Sequence, residues 1–139
     1  MSSHSGEIHI QTKGFSDMHD ITPRASDFLS SSNVQNGLFC VFVPGATAGL
    51  TTIEFEEGAL HDLKQAIERL APRDIHYEHD SRWGDGNGFS HVRAALLGPS
   101  LCVPVVNGRL RLGTWQQIVL VDFDNRPRKR EVIFEVVGE

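Results

Sequence analysis

Polar side chains are concentrated between His79 and His91. Within this stretch lie the two histidines, and Asp80 and Asp85 are close to them in sequence. Two imidazoles with a nearby carboxylate form a ligand set that suits a divalent transition metal, zinc in particular. The spacing matches no short ligand motif such as HExxH. We therefore expect a metal site only if the chain folds back and brings the two imidazoles together.

The same stretch has a second interpretation without a ligand. Gly, Asp and Asn are common in solvated turns, where each is selected for its backbone conformation. Asp85 and Asn87 could cap the helix that follows, and His91 could be a hydrogen-bonded core histidine. The residue types alone leave both interpretations open.

A second candidate binding element is the segment Gly113–Gln117, which lies between two apolar runs. Here Trp115 is flanked by neutral hydrogen-bonding side chains, Thr114 and Gln116. An indole can stack on a flat ligand while its neighbours fix the ligand's orientation. Alternatively the segment is a hairpin turn with Trp115 packed as an anchor, and the sequence favours neither.

Glu54 lies at the polar end of an otherwise apolar predicted strand, so it is a candidate general base or metal ligand. It could equally point to solvent beside its acidic neighbours. No nucleophile stands at a recognised distance from a base, which argues against a Ser or Cys hydrolase. Cys40 and Cys102 lie within apolar runs, so we expect buried free thiols rather than a disulfide or a thiolate metal site.

The elements that must position these residues follow from hydrophobic periodicity. Period-2 patterns and turn signals predict strands, with a type I′ turn at Asn107-Gly108. Helical spacing predicts two or three helices. The predicted strands are 7–12, 38–43, 50–55, 101–106, 109–112, 118–123 and 131–137; the predicted helices are 22–32, 58–71 and 89–96. We expect a loop from His79 to Gly88, and a single α+β domain over residues 1–139 with mainly antiparallel sheets.

Charge and composition limit the partners. Thirteen Lys and Arg against 18 Asp and Glu give a net charge of -5, so a general nucleic-acid-binding surface is not expected. No apolar run approaches the roughly 20 residues that span a bilayer, and no secretion signal is apparent. The sequence therefore predicts a cytoplasmic protein without nucleic-acid or membrane partners.

Several motifs together resemble the YjbQ-type family, often labelled secondary thiamine-phosphate synthase. They occur in family order over nearly the whole chain, and the last of them is the most specific. The motifs are Phe42–Glu54, Tyr77–Asp80, Gly84–His91, Gly98–Ser100 and Gly108–Gln117.

This resemblance implies a fold and an activity. The fold is α+β, with antiparallel sheets packed as a sandwich, assembled as a homotrimer. The activity is a weak thiamine-phosphate synthesis, which joins a pyrimidine diphosphate to a thiazole phosphate with loss of pyrophosphate. The family's polar pocket holds a metal or an anion, so the expected cofactor is a divalent metal, zinc or, for a diphosphate substrate, magnesium.

The resemblance also assigns roles by position. The positions that match the family's motifs are Glu54, His79, Asn87, His91 and Gly113–Gln116. Combined with the chemistry of the neighbouring residues, they lead us to expect His79 and His91 as metal ligands, a catalytic set and a ligand-binding set. The catalytic set is Glu54, Asn87, His91 and Gln116; the ligand-binding set is Asp80, Arg82, Asp85, Arg93, Thr114 and Trp115. Arg82 or Arg93 would stabilise the departing pyrophosphate.

Two positions depart from the family pattern. Many relatives have a histidine where this chain has Gly45, and an asparagine where it has Ile53.

Two functions other than thiamine-phosphate synthesis could use the same residues. One is a non-catalytic module that binds a metal or a small anionic metabolite, and the other is a metal-dependent hydrolase with Glu54 as base.

Overall fold

The computed structural model describes all 139 residues as eight strands and four helices. In chain order, the elements are β1 (Ser2–Thr12), β2 (Asp17–Asp20), α1 (Thr22–Ser32), β3 (Gly37–Phe42), β4 (Ala48–Ile53), α2 (Glu57–Leu70), α3 (Glu78–Trp83), α4 (Gly88–Leu97), β5 (Ser100–Val106), β6 (Arg109–Leu110), β7 (Gln117–Asp122) and β8 (Arg128–Gly138).

The strands form two antiparallel sheets. The larger has the order β1-β8-β3-β5-β6 and the smaller the order β2-β7-β4. The predicted α+β class with mainly antiparallel sheets is thereby confirmed. β3 is the middle strand of the larger sheet, as its apolar residues on both faces had indicated.

The main core lies between the inner faces of the two sheets and α1. Phe39 and Phe134 from the larger sheet and Leu120 from the smaller one are fully buried there. A second, smaller core lies on the other face of the small sheet, where α2 and α4 supply Ile67 and Ala94. The small sheet is thus covered on both faces.

Local signals placed most elements correctly. α1 begins at Thr22 with Pro23 in its first turn, as expected for a proline whose missing N–H costs nothing there. Asn107 and Gly108 both have positive φ, 53° and 72°, which the type I′ turn requires. Between this turn and β7 there is only one short strand, β6.

Two expectations were wrong in detail. The expected loop after His79 contains a six-residue helix, α3, so there are four helices rather than two or three. The cysteines are free but not buried: Cys40 is half-buried and Cys102 exposed. Both lie on the outer face of the larger sheet, where the apolar side chains of Leu38, Phe42 and Val137 are also exposed. None of the helices is long and apolar enough to cross a membrane.

Candidate functional site

The α3–α4 hairpin positions the residues of the polar stretch. α3 ends at Trp83, and Gly84, which caps it with a φ of 70°, turns the chain back sharply. The Asp80 carboxylate then accepts a hydrogen bond of 2.8 Å from the Gly88 backbone N–H at the start of α4. A Cβ on Gly88 would lie 2.6 Å from the Tyr77 Cβ, so only glycine permits this close approach.

This hairpin brings the two imidazoles together. The ring centroids of His79 and His91 are 4.3 Å apart, with an angle of 37° between the ring planes. Burial lowers the pKa of His91, and the neighbouring His79 lowers it further, against the opposing effect of Asp85. His91 is therefore a neutral imidazole at pH 7, able to donate or accept a proton.

Two carboxylates lie beside His79. Its Nδ1 is 3.4 Å from Asp80 Oδ1 and 3.5 Å from Asp85 Oδ1. The three side chains offer ligand atoms within 4.8 Å of one another, and the mixed nitrogen and oxygen set fits a divalent ion. His91 is not part of that group, so this candidate ligand set differs from the His79 and His91 pair expected from the sequence.

Next to the imidazoles, two arginines pair with two buried aspartates in a network that the sequence patterns did not reveal. Arg130 donates from Nε to Asp122 at 2.6 Å and from Nη2 to Thr47 at 2.6 Å. Arg128 donates from Nε to Asp124 at 2.9 Å. Both aspartates are fully buried. The available signal was a pair of acidic residues at the end of an apolar strand, matched by arginines shortly after it.

Asp124 organises one side of the pocket. Burial raises its pKa, but hydrogen bonds from Asn87, the Asn125 N–H, Arg128 and Thr47 outweigh burial and lower the pKa to about 2. The carboxylate is therefore ionised, and it fixes Asn87 with the amide Nδ2 towards it, at 3.2 Å. The other end of that amide, Asn87 Oδ1, is buried without any hydrogen-bond donor.

These groups line one cavity of about 390 Å³, which we call the imidazole pocket. An indole does lie in its wall, but it is Trp83 rather than the expected Trp115. The lining residues are Ala46, Thr47, His79, Trp83, Asp85, Asn87, His91, Arg128 and Arg130. The Gly45 loop, where many relatives are expected to carry a histidine, leads directly into this wall.

The two arginines expected to stabilise a leaving pyrophosphate do not line this pocket. Arg93 is buried under α2, where it donates from Nε to the Ala71 carbonyl at 3.0 Å and pairs with Glu68. Arg82 lies over the Trp83 ring, with its guanidinium carbon 5.3 Å from the ring centroid. Arg128 and Arg130 line the pocket instead.

The remaining predicted residues lie at the opposite end of the small sheet. β4 and β7 pair Ala48 with Asp122 at the pocket end and Ile53 with Gln117 at the other, roughly 17 Å along the strands. Glu54 follows Ile53 at that far end.

The Gly113–Gln117 segment lies at the same far end. Gln116 donates to the Thr52 hydroxyl at 3.1 Å. Thr114 and Gln116 line a separate cavity of about 390 Å³ beside α1. Trp115 is 72% exposed, so it does not pack as an anchor within the chain. The residues expected in one site therefore form two clusters, one at each end of the small sheet.

Proteins of known structure share this fold. A YbjQ-like protein of unknown function from Sulfolobus solfataricus P2 matches with a TM-score of 0.94 and 29% identity, covering 99% of each chain. A hypothetical protein from Aeropyrum pernix K1 matches with a TM-score of 0.90 and 32% identity, covering 98% of this chain and 99% of that one.

Sequence comparison gives the same grouping. A UPF0047 protein from Methanothermobacter thermautotrophicus is 37% identical over 139 residues, which is all of this chain and 95% of that protein. A UPF0047 protein from Mycobacterium tuberculosis H37Rv is 42% identical over 113 residues, 81% of this chain and 83% of that protein. The family model "UPF0047 protein YjbQ-like" matches residues 6–139. The chain therefore belongs to the YjbQ-like UPF0047 family.

Proposed function

We propose that this protein is an enzyme that binds a small phosphorylated metabolite in the imidazole pocket and transfers a group with loss of pyrophosphate. The main support is the meeting of His79 and His91 with Arg128 and Arg130 around one cavity of about 390 Å³. Guanidinium groups recognise phosphate oxygens, and imidazoles move protons at neutral pH.

The arginines are held ready for an anion. Asp124 Oδ2 binds both Nε and Nη2 of Arg128, whereas Asp122 accepts from Nε of Arg130 on Oδ2 and from its Nη2 on Oδ1. No hydrogen bond within the chain uses the Nη1 group of either arginine. The buried aspartates thus hold each guanidinium in place and leave its Nη1 group to donate to a ligand. Because the guanidinium is already ordered, binding costs less conformational entropy.

The imidazoles would exchange protons with the bound phosphate. His91 is neutral in the free protein because burial lowers its pKa. A phosphate dianion nearby favours the protonated imidazole, so binding would raise that pKa and add a charged donor. The unpartnered Asn87 Oδ1 would accept a hydrogen bond from an O–H or N–H group of the metabolite.

The transfer that we propose is thiamine-phosphate synthesis or a reaction of the same type. The bond between the pyrimidine methylene carbon and the diphosphate oxygen breaks, and its electron pair leaves with pyrophosphate. The thiazole nitrogen then forms the new bond to that carbon. Arg128 and Arg130 would stabilise the negative charge that develops on the leaving oxygens.

A divalent cation is a proposed cofactor. His79, Asp80 and Asp85 would hold it, and zinc or magnesium would supply additional positive charge to the pyrophosphate. Asp80 Oδ1 already accepts the Gly88 N–H, so Asp80 has one carboxylate oxygen free for a ligand role.

The homotrimer is also part of the proposal. The exposed Trp115 and the other far-end residues would then complete a neighbouring subunit's imidazole pocket, bringing the two clusters together across an interface. Light scattering tests the assembly: a trimer mass supports it, and a monomer mass contradicts it.

Turnover and binding should be measured together. We expect the purified protein with magnesium or zinc to form thiamine phosphate from the pyrimidine diphosphate and the thiazole phosphate. His91→Ala should abolish this activity while the exposed His61→Ala on α2 keeps it. Calorimetric binding of pyrophosphate without turnover of these substrates would instead support a binding module. Equal turnover by both variants would contradict the proposed site.

A further inference from the structure

The only two cysteines of the chain lie directly opposite each other on neighbouring strands. Cys40 in β3 pairs with Cys102 in β5 in the antiparallel register of the larger sheet. Opposite residues share a face, and here it is the outer face, where Cys40 is half-buried and Cys102 exposed. The two thiols are therefore neighbours on an open surface, away from the imidazole pocket.

The hydrogen-bond pattern identifies the kind of pair. The Val43 N–H donates to the Pro99 carbonyl at 2.8 Å, so that position of the β3–β5 ladder is a hydrogen-bonded pair. Pair types alternate along an antiparallel ladder, which makes Cys40 and Cys102, three positions away, a non-hydrogen-bonded pair.

The other side of β5 confirms this assignment. The Arg111 N–H donates to the Pro104 carbonyl at 2.9 Å, so the polar backbone groups of Pro104 point towards β6 and away from β3. Cys102 is two residues before Pro104 and has the same orientation. In non-hydrogen-bonded pairs the Cα atoms are about 4.5 Å apart, and disulfides need roughly 4.4–6.8 Å. The backbone therefore already meets the requirement for a cross-strand disulfide.

The two thiols differ in accessibility. Burial raises the pKa of Cys40, and the adjacent Cys102 and Glu135 raise it further. Cys40 is therefore held as a thiol, whereas the exposed Cys102 is the one that an oxidant in solution meets. This asymmetry suits a reacting cysteine with a resolving cysteine beside it.

We propose that Cys102 and Cys40 form a peroxide-sensitive thiol pair that closes to a reversible cross-strand disulfide. The Cys102 thiolate attacks hydrogen peroxide, the O–O bond breaks and hydroxide leaves, giving a sulfenic acid. The Cys40 thiol then attacks that sulfur, the S–O bond breaks and water leaves. Two thiols and one peroxide thus yield one disulfide and two waters, and a dithiol reductant restores the thiols.

Mass spectrometry of the full chain tests the proposal. After a limited dose of hydrogen peroxide we expect a mass lower by about 2 Da, loss of both titratable thiols, and a peptide linking Cys40 to Cys102. Dithiothreitol should restore the original mass. Oxygen addition at either cysteine as the stable product, a disulfide between chains, or two unreacted thiols would each overturn it.

Two variants test whether the reaction depends on the geometry of the cysteine pair or only on the exposure of Cys102. Cys40→Ser should stop at the Cys102 sulfenic acid, which dimedone traps, because no resolving thiol remains. The double variant Cys102→Ser/Ser100→Cys moves the outer thiol two residues along the same face, to a diagonal position roughly 7–8 Å away between Cα atoms. It should not lose about 2 Da at the same peroxide dose. Equally efficient closure in this variant would contradict the proposed pair.

Discussion

The imidazole rings of His79 and His91 are 4.3 Å apart between centroids, although twelve positions separate the residues in sequence. A six-residue helix and the Gly84–Gly88 turn make this possible, because α3 and α4 fold against each other. Burial and, after it, the proximity of His79 lower the pKa of His91, and both rings line the same pocket as Arg128. The proposed chemistry depends on this arrangement.

The first prediction concerns the titration of His91. Proton NMR should give a pKa below 6.5, and His79→Gln should raise it only in part, since burial is the larger cause. Because the unfolded chain binds the proton more tightly, the free energy of unfolding should fall as the pH decreases through 6.5. A His91→Gln variant should show a weaker dependence in this range. A pKa at or above 6.5 in the wild type would contradict the assigned environment.

The second prediction concerns Asp124. Asp124→Asn removes a buried charge that binds Arg128, Thr47 and Asn87, so we expect a loss of about 3 kcal/mol in the free energy of unfolding, measured with urea. The exposed Asp74→Asn should change it by less than about 0.5 kcal/mol.

The same carboxylate should contribute to acid unfolding. Its folded pKa of about 2 is below the ordinary value of 3.8, so the stability it contributes at neutral pH is lost as the pH falls from 3.8 towards 2. The Asp124→Asn variant should lack that component. An unchanged acid transition would show that the network is not formed in solution.

The third prediction compares Arg128, the first residue of β8, with Arg126, which lies in the loop between β7 and β8. Arg128→Gln should weaken the binding of inorganic pyrophosphate in calorimetry about tenfold or more, because a charge-assisted hydrogen bond contributes roughly 1.5–3 kcal/mol. Arg126→Gln, an exposed neighbour that does not line the pocket, should leave the affinity within about twofold. Equal losses in both variants would indicate only a general effect of charge.

The fourth prediction uses the two tryptophans as reporters. Trp83 lines the imidazole pocket and Trp115 lies at the far end of the small sheet. If a neighbouring subunit supplies Trp115, both indoles respond to pyrophosphate; within one chain only Trp83 does. Fluorescence of Trp83→Phe and Trp115→Phe separates these cases. A pyrophosphate response that persists unchanged in Trp83→Phe would place the ligand outside the pocket.

Much of the fold could be predicted because its signals are local. Thr22-Pro23 at the start of α1 and Asn107-Gly108 in the turn are each determined by neighbouring residues. α3 could not be found this way, since six residues contain no full amphipathic repeat and none of them is buried. The exposure of Cys102 could not be predicted either, because an apolar strand does not reveal which of its faces a second layer covers.

The candidate site could be predicted only where its residues are close in sequence. His79, Asp85, Asn87 and His91 are on one hairpin and do line one pocket. Arg128 joins them because the hairpin contacts the segment after β7, where Asn87 donates to Asp124 and Asn125 donates to the Asp85 carbonyl. No spacing within the sequence specifies that long-range contact. Conversely, the register that pairs Ile53 with Gln117 carries the far-end residues away from the pocket.

A crystal structure of the protein with inorganic pyrophosphate would test the proposed anion site directly. We expect a phosphate group in contact with the Arg128 guanidinium and within hydrogen-bond distance of an imidazole of His79 or His91. Pyrophosphate held elsewhere, for example on Lys64 and Arg73 beside Phe15, with the imidazole pocket containing only water, would contradict the proposal.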